Sequence, residues 1–307
     1  MVIGIILLVL VLAVLCGTYL AYRTVFYSPN TGRDKLPSTN APQYDPYRPR
    51  MAEVFKQLNE RTFEWVTITS HDGLKLSGRY YHIKDGAPLD IGFHGYRSSP
   101  LTDFSGGTEL SFGIGHNVLL VDQRSHGKSE GNTIAFGILE RQDCLNWVKY
   151  ALDRFGPDTK ILLYGVSMGA ATVLMASELE LPDNVKGIIA DCPYSSPSEI
   201  IKNVGAKMNL PTTLCYPFIV LAARLFGGFD LNAANAAKAV KSSKVPILII
   251  HGEADNYVPC EMSKEISLTC PKLVQWHGFP GADHGLSYLH DTKRYWEVVQ
   301  NFLKDIL

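Results

Sequence analysis

An excess of either charge is missing from this chain of 307 residues. Lys and Arg number 29 against 30 Asp and Glu, leaving a formal net charge of -1. No basic run overrides that average, so nucleic acid is excluded as an expected partner. Paired cysteine motifs are missing too. Cys16, Cys144, Cys192, Cys215, Cys260 and Cys270 form no CxxC pair and no zinc-like spacing with histidine. No metal and no organic cofactor is therefore expected. The six are read as reduced and structural, with Cys260–Cys270 the one disulfide worth weighing. Internal repeats and low-complexity tracts are also lacking.

Charge disappears altogether from Met1 to Tyr22, a stretch without Asp, Glu, Lys or Arg. The run from Val2 to Ala21 is about 20 residues, roughly 30 Å as a helix, which matches the hydrocarbon core of a bilayer. A signal peptide would have a basic start, a shorter apolar stretch and a small-x-small cleavage site. Nothing basic precedes this run, so residues 1–22 are read as an uncleaved single-pass anchor. Arg23, Arg33, Lys35, Arg48 and Arg50 all follow it. By the positive-inside rule the rest of the chain then faces the cytoplasm. Residues 23–62 are read as a proline-containing linker ending in a short amphipathic helix, Met51 to Arg61, with Val54, Phe55 and Leu58 on one face.

From Phe63 the pattern changes. Trp65 to Thr69 and Leu74 to Tyr81 are β-rich runs around His71-Asp72-Gly73, a tight hairpin signal. Short apolar strands follow at Asp90–Phe93, Asn117–Val121, Lys160–Tyr164, Val185–Ala190, Pro246–Ile250 and Leu273–Trp276. Helical stretches alternate with them at Phe136–Arg154, Gly169–Leu179, Glu261–Leu268 and Tyr295–Leu307. This alternation predicts an α/β fold: a mainly parallel central sheet behind an N-terminal antiparallel hairpin, with helices on both faces. About 50 residues before Val245 break the rhythm, far above ordinary loop length. Their apolar stretch, Leu210 to Leu231, is interrupted by Pro217 and Arg224 and is too short for a second span. Residues 193–244 are read as a helical cap over the site, inserted in one domain, 63–307.

The chemistry gathers at the carboxyl ends of these strands. Gly165-Val166-Ser167-Met168-Gly169 is a G-x-S-x-G motif set between a strand and a helix, the setting that exposes a serine nucleophile on a sharp turn. Ser167 needs a base. Of nine histidines, His284 follows the last strand in a glycine-rich loop, with His290 a distant competitor. The base needs an orienting carboxylate. Asp255 follows a strand and completes the order Ser, Asp, His; Glu253 and Asp283 compete with it. The oxyanion needs two amides, assigned to Met168 and to Tyr96 in His94-Gly95-Tyr96-Arg97. Asp122 to Gly131, with His126, is read as a structural loop in which Asp122 and Arg124 hydrogen-bond nearby backbone.

The strings HGYR (94–97), DQRSHGKSEG (122–131), GVSMGA (165–170), HGEADNYVP (251–259) and GADHG (281–285), in that order, resemble the α/β-hydrolase superfamily. The branch they are most similar to contains serine aminopeptidase-like, monoacylglycerol-lipase-like and acetyl-esterase-like proteins. The resemblance implies an α/β-hydrolase fold and acyl transfer to water by Ser167, His284 and Asp255. It fixes mechanism better than substrate. An apolar ester, small or lipid-like, is the expected substrate, because of the apolar cap and the anchor. A peptidase is the alternative, and a non-catalytic membrane-tethered binding protein of the same fold a weaker one.

Overall fold

The computed structural model describes residues 1–29, 42–104 and 106–307. The middle of the expected linker, with Arg33, Lys35 and Pro37, lies outside the described residues.

Near its start the chain forms α1 (Val2–Val25), whose first fifteen positions, Val2 to Cys16, are exposed. It is long and apolar enough to cross a membrane by length and composition. A short 3-10 turn at Pro42–Tyr47 leads into α2 (Arg48–Glu60). This helix starts earlier than expected because Pro49 suits a first helical turn, where its missing amide costs nothing. Val54, Phe55 and Leu58 are its buried residues.

Next come β1 (Glu64–Thr69), β2 (Lys75–Tyr81), β3 (Leu89–Phe93), α3 (Pro100–Phe104), α4 (Gly107–Gly113) and β4 (Asn117–Val121). Then follow α5 (Glu140–Phe155), β5 (Ile161–Val166), α6 (Met168–Ala176), β6 (Val185–Asp191), α7 (Pro197–Lys207), α8 (Thr212–Leu225) and α9 (Ala236–Ala239). The chain closes with β7 (Ile247–Gly252), α10 (Cys260–Thr269), β8 (Val274–Phe279), α11 (Ser287–His290) and α12 (Thr292–Ile306).

The eight strands form one sheet in the order β1-β2-β4-β3-β5-β6-β7-β8. Pairing is antiparallel within the β1–β2 hairpin and from β2 to β4, and parallel elsewhere. Every residue of β3, β4 and β7 is buried, as a sheet covered on both faces requires. One face packs against Trp147 of α5 and Leu174 of α6. The other packs against Tyr295, Val299 and Phe302 of α12. This is the α/β-hydrolase architecture.

Helix α5 starts four residues later than its apolar pattern predicts. Phe136 and Gly137 both have positive φ, 53° and 88°, which a helix cannot accommodate. The buried Glu140 carboxylate accepts hydrogen bonds from the Ala135 and Gly137 amides, both at 2.8 Å, and stabilises that bend. The short α3 and α4 were not expected, since helices of five to seven residues carry too little periodicity to read.

Candidate active site

Ser167 occupies the turn between β5 and α6 with φ 54° and ψ -113°, a strained pose for a residue with a Cβ. Its surroundings enforce the pose. The Ser167 amide donates to Asp191 O at 2.8 Å, and Ser167 O accepts from the Ala171 amide at 3.0 Å. A Cβ on Gly165 would lie 2.3 Å from Gly169 O, and one on Gly169 would lie 1.8 Å from Phe93 O. Only glycines let strand, turn and helix approach this closely.

His284 stands between Ser167 and Asp255. Its Nε2 is 3.0 Å from Ser167 Oγ and its Nδ1 is 2.7 Å from Asp255 Oδ2. Asp255 is nearly out of contact with solvent, yet its carboxylate is fully engaged. Oδ1 accepts from the Tyr257 and Val258 amides at 2.8 and 2.7 Å. Oδ2 also faces His251 Nε2 at 3.2 Å. Burial opposes the charge, but His284 and His251 outweigh it and hold this carboxyl well below the usual carboxylate range. Burial likewise opposes a charge on His284, while the Cys192 sulfur and Asp255 raise its pKa well above 6.5. Burial pushes the Cys192 thiol itself up to about 11, so it is neutral near pH 7 and Asp255 supplies the field.

The competitors are placed elsewhere. Asp283 accepts from the Asn256 amide at 2.9 Å and from the His284 amide at 2.7 Å, tying the two loops together rather than touching the ring. Glu253 is exposed. His290 Nδ1 meets Tyr47 Oη at 2.9 Å.

The two remaining strings support the site from beneath. His126 Nδ1–H donates to Arg124 O at 2.9 Å, leaving Nε2 to accept the Arg97 amide at 3.0 Å. His94 Nδ1–H donates to Gly95 O at 2.8 Å and its Nε2 accepts the Gln123 amide at 3.2 Å. Burial pushes His126 down to about 4 and His94 well below 6.5, so both rings stay neutral in these roles. Asp122 does bond backbone, accepting from the Lys128 amide at 2.8 Å. Arg124 does not. It forms a fork with buried Asp143, at 2.6 and 2.7 Å, and a second pair with Asp72 at 2.9 Å. A buried guanidinium requires carboxylates, which carbonyls would not replace.

A cavity of about 380 Å³ opens on Ser167 and His284, with Tyr96 in its wall. Its described lining draws on several parts of the chain. Tyr44, Met51 and Val54 come from the segment before β1, and Leu286, Tyr288 and Leu289 from the region around α11. No residue of 193–244 is among them. That insertion stands beside the site, with Asn203 Nδ2 donating to Tyr257 O at 3.1 Å and Lys207 reaching Asn256 O. Met168 is fully buried at the start of α6. The Tyr96 side chain turns away, its hydroxyl donating to Val25 O at 2.8 Å and its ring stacking on Phe136. Asp103 accepts the Gly95 amide at 2.6 Å and the Ser98 hydroxyl at 2.6 Å, bracing the same loop.

Sequence reasoning missed Tyr44, Asp103, Cys192 and His251. Only His251 left a local signal, four positions before Asp255 in one string. All six cysteines are free, so Cys260 and Cys270 are not bridged. Among the described residues, two clusters bring metal-ligating atoms within 4.8 Å: Cys192, Asp255 and His284, and His71, Asp72 and Asp143. Neither donor set suits a cation, since the first is committed to its own hydrogen bonds around a protonated thiol and Arg124 occupies the second.

A family model of the alpha/beta hydrolase fold matches residues 102–214. An uncharacterised Bacillus subtilis protein, YqkD, is 26% identical over 83% of this chain and 82% of its own. An uncharacterised membrane protein of Saccharomyces cerevisiae is 26% identical over 62% of this chain and 61% of its own. Among solved structures, an esterase of Pyrococcus furiosus superposes with a TM-score of 0.65 at 27% identity, covering 82% of this chain and 93% of that one.

Proposed function

We propose that this chain, a member of the α/β-hydrolase superfamily, is a membrane-anchored serine esterase acting on esters with an apolar acyl or alcohol part. The observation that carries the reading is His284, hydrogen-bonded to Ser167 on one nitrogen and to Asp255 on the other. In this mechanism His284 Nε2 takes the Ser167 proton as Oγ attacks the ester carbonyl carbon. The negative oxygen is met by the Tyr96 and Met168 amides. The imidazolium then gives its proton to the departing alcohol, leaving an acyl group on Ser167. Water, deprotonated by His284, attacks the acyl carbon. The acid departs and Ser167 recovers its proton. Asp255 orients the ring and stabilises its charged form.

The cavity supports an apolar ester over a peptide. Met51, Val54, Val166, Leu286 and Leu289 give its wall an apolar side. Among its described lining residues Asp103 is the one carboxylate, and its oxygens are already bonded to Gly95 and Ser98. A peptide amino terminus finds no free anion among those described residues. The esterase relatives among solved structures agree with this choice. Residues 1–22 serve as the anchor, with the domain of residues 63–307 on the cytoplasmic side, where Arg23, Arg48 and Arg50 follow the span.

The test is fluorophosphonate labelling with a panel of p-nitrophenyl esters of graded chain length and aminoacyl amides. Labelling at Ser167, abolished in Ser167→Ala, and faster cleavage of medium-chain esters than of amides are expected. A Ser167→Ala variant that keeps its turnover would remove the mechanism; faster amide cleavage would reverse the substrate class.

A further inference from the structure

Helix α1 is packed unevenly. Val2 to Cys16 are all exposed, while Thr18, Tyr22 and Phe26 are buried against the domain. The partner is α8 and the turn after it. An added Cβ on Gly17 would touch the Phe218 ring at 3.5 Å. Tyr19 and Tyr22 meet Phe226 at ring separations of 5.4 and 5.8 Å, and Phe26 meets Phe229 at 5.3 Å. The pairs advance together along both segments, so α8 runs beside α1 in the same direction and starts towards its free end.

That arrangement has a dimensional consequence. The free stretch, residues 2–16, is roughly 22 Å of helix, at about 1.5 Å per residue. A hydrocarbon core is ~30 Å thick. A bilayer that covers the span therefore extends past Cys16 to the level of α8. The surface found there is apolar. Met208, Leu210 and Leu214 at the α7–α8 corner are 62%, 47% and 70% exposed, and Leu225 at the far end of α8 is 55% exposed. Tyr19, Arg23 and Tyr27 lie beyond, with the Arg23 guanidinium 3.7 Å over the Tyr27 ring, the kind of side chains that settle at the headgroup level.

We propose that α8 and the α7–α8 corner form a second membrane contact, seated in the lipid interface beside the anchor. This rests on reading α1 as a membrane span. The seating reaches the site directly. Val25 O accepts the Tyr96 hydroxyl, and Arg97 donates to Thr24 O and Tyr27 O, both at 2.9 Å. The loop lining the cavity is thus bonded to the membrane-facing end of the molecule, which favours substrates drawn from the bilayer.

The experiment places one tryptophan at a time in the full chain, reconstituted in phosphatidylcholine–phosphatidylglycerol vesicles with and without brominated acyl chains. Fluorescence added over the parent chain is the readout. Leu8→Trp reports the anchor, Leu214→Trp the corner, and Leu268→Trp, exposed at the end of α10 beside the β8 edge of the sheet, the domain surface. At a depth of ~5–10 Å the Leu8 and Leu214 signals should each fall about twofold or more, with Leu268 unchanged. An unquenched Leu8→Trp overturns the anchor reading and the proposal with it. A quenched Leu8→Trp with an unquenched Leu214→Trp overturns the proposal alone. Quenching at 214 that fades as protein-to-lipid ratio rises assigns the face to a second copy of the chain and also overturns it.

Discussion

Gly169→Ala is the sharpest probe of how the fold holds Ser167. The added Cβ would sit 1.8 Å from Phe93 O and 2.8 Å from His94 O. Ordinary contact begins near 3.4 Å, so the end of β3 and the start of α6 must separate by the difference, about 1.6 Å. Both neighbours are backbone, and no side chain can rotate aside. The movement separates the two halves of the site, since Ser167 and Met168 ride on α6 while Tyr96 follows β3. A misplacement of about 1 Å costs roughly 100-fold in rate, so kcat/KM on a p-nitrophenyl ester should fall by about that factor or more. Overpacking should also cost about 1–3 kcal/mol of stability. Steady-state kinetics, the rate of fluorophosphonate labelling and a thermal melt separate the two effects. A variant within threefold of the parent in kcat/KM, with an unchanged melt, would refute the close-approach argument.

Three further outcomes are expected. Asp255→Asn should lower kcat by about 10,000-fold, as for an equivalent change in an unrelated triad. The Cys192 sulfur and Asp255 both raise the His284 pKa, so the acid limb of kcat/KM should move to lower pH in the variant; an unmoved limb would sever the link between Asp255 and His284. Arg124→Met leaves the buried Asp143 carboxylate unpaired and should cost about 3–5 kcal/mol in denaturant melts, much of it recovered in Arg124→Met/Asp143→Leu. Tyr44→Phe removes the 3.2 Å hydrogen bond to His284 O and should reduce kcat/KM by up to about tenfold with little change in melting temperature, a loss of 0.5–1.5 kcal/mol at most.

Much of this molecule was legible in one dimension because its signals are local. The elbow is five residues with their own strand and helix, and glycines at 165 and 169 announce a backbone approach that no other residue permits. The mainly parallel sheet and its buried character follow from short apolar runs spaced by helices. Ser167, Asp255 and His284 lie in separate strings, but each string ends a strand on the same sheet edge, so their order along the chain was informative. The boundaries were less so: β5 and β8 each run two or three residues past their apolar runs, to Val166 and Phe279, because sheet pairing continues where hydrophobicity stops.

What only the tertiary structure decided concerns partners distant in sequence. Asp255 rather than Asp283 faces the ring because Asp283 is turned to the Asn256 amide, a contact 27 residues away. Arg124 finds Asp143 and Asp72 on either side, where a local reading offered only nearby carbonyls. Tyr44 reaches His284 across 240 positions, so part of the wall of the cavity comes from the segment before the sheet, which no local signal announced. The long insertion lies along α1. Composition announces that a helix is apolar, but packing alone determines which of its faces is covered and which is left exposed.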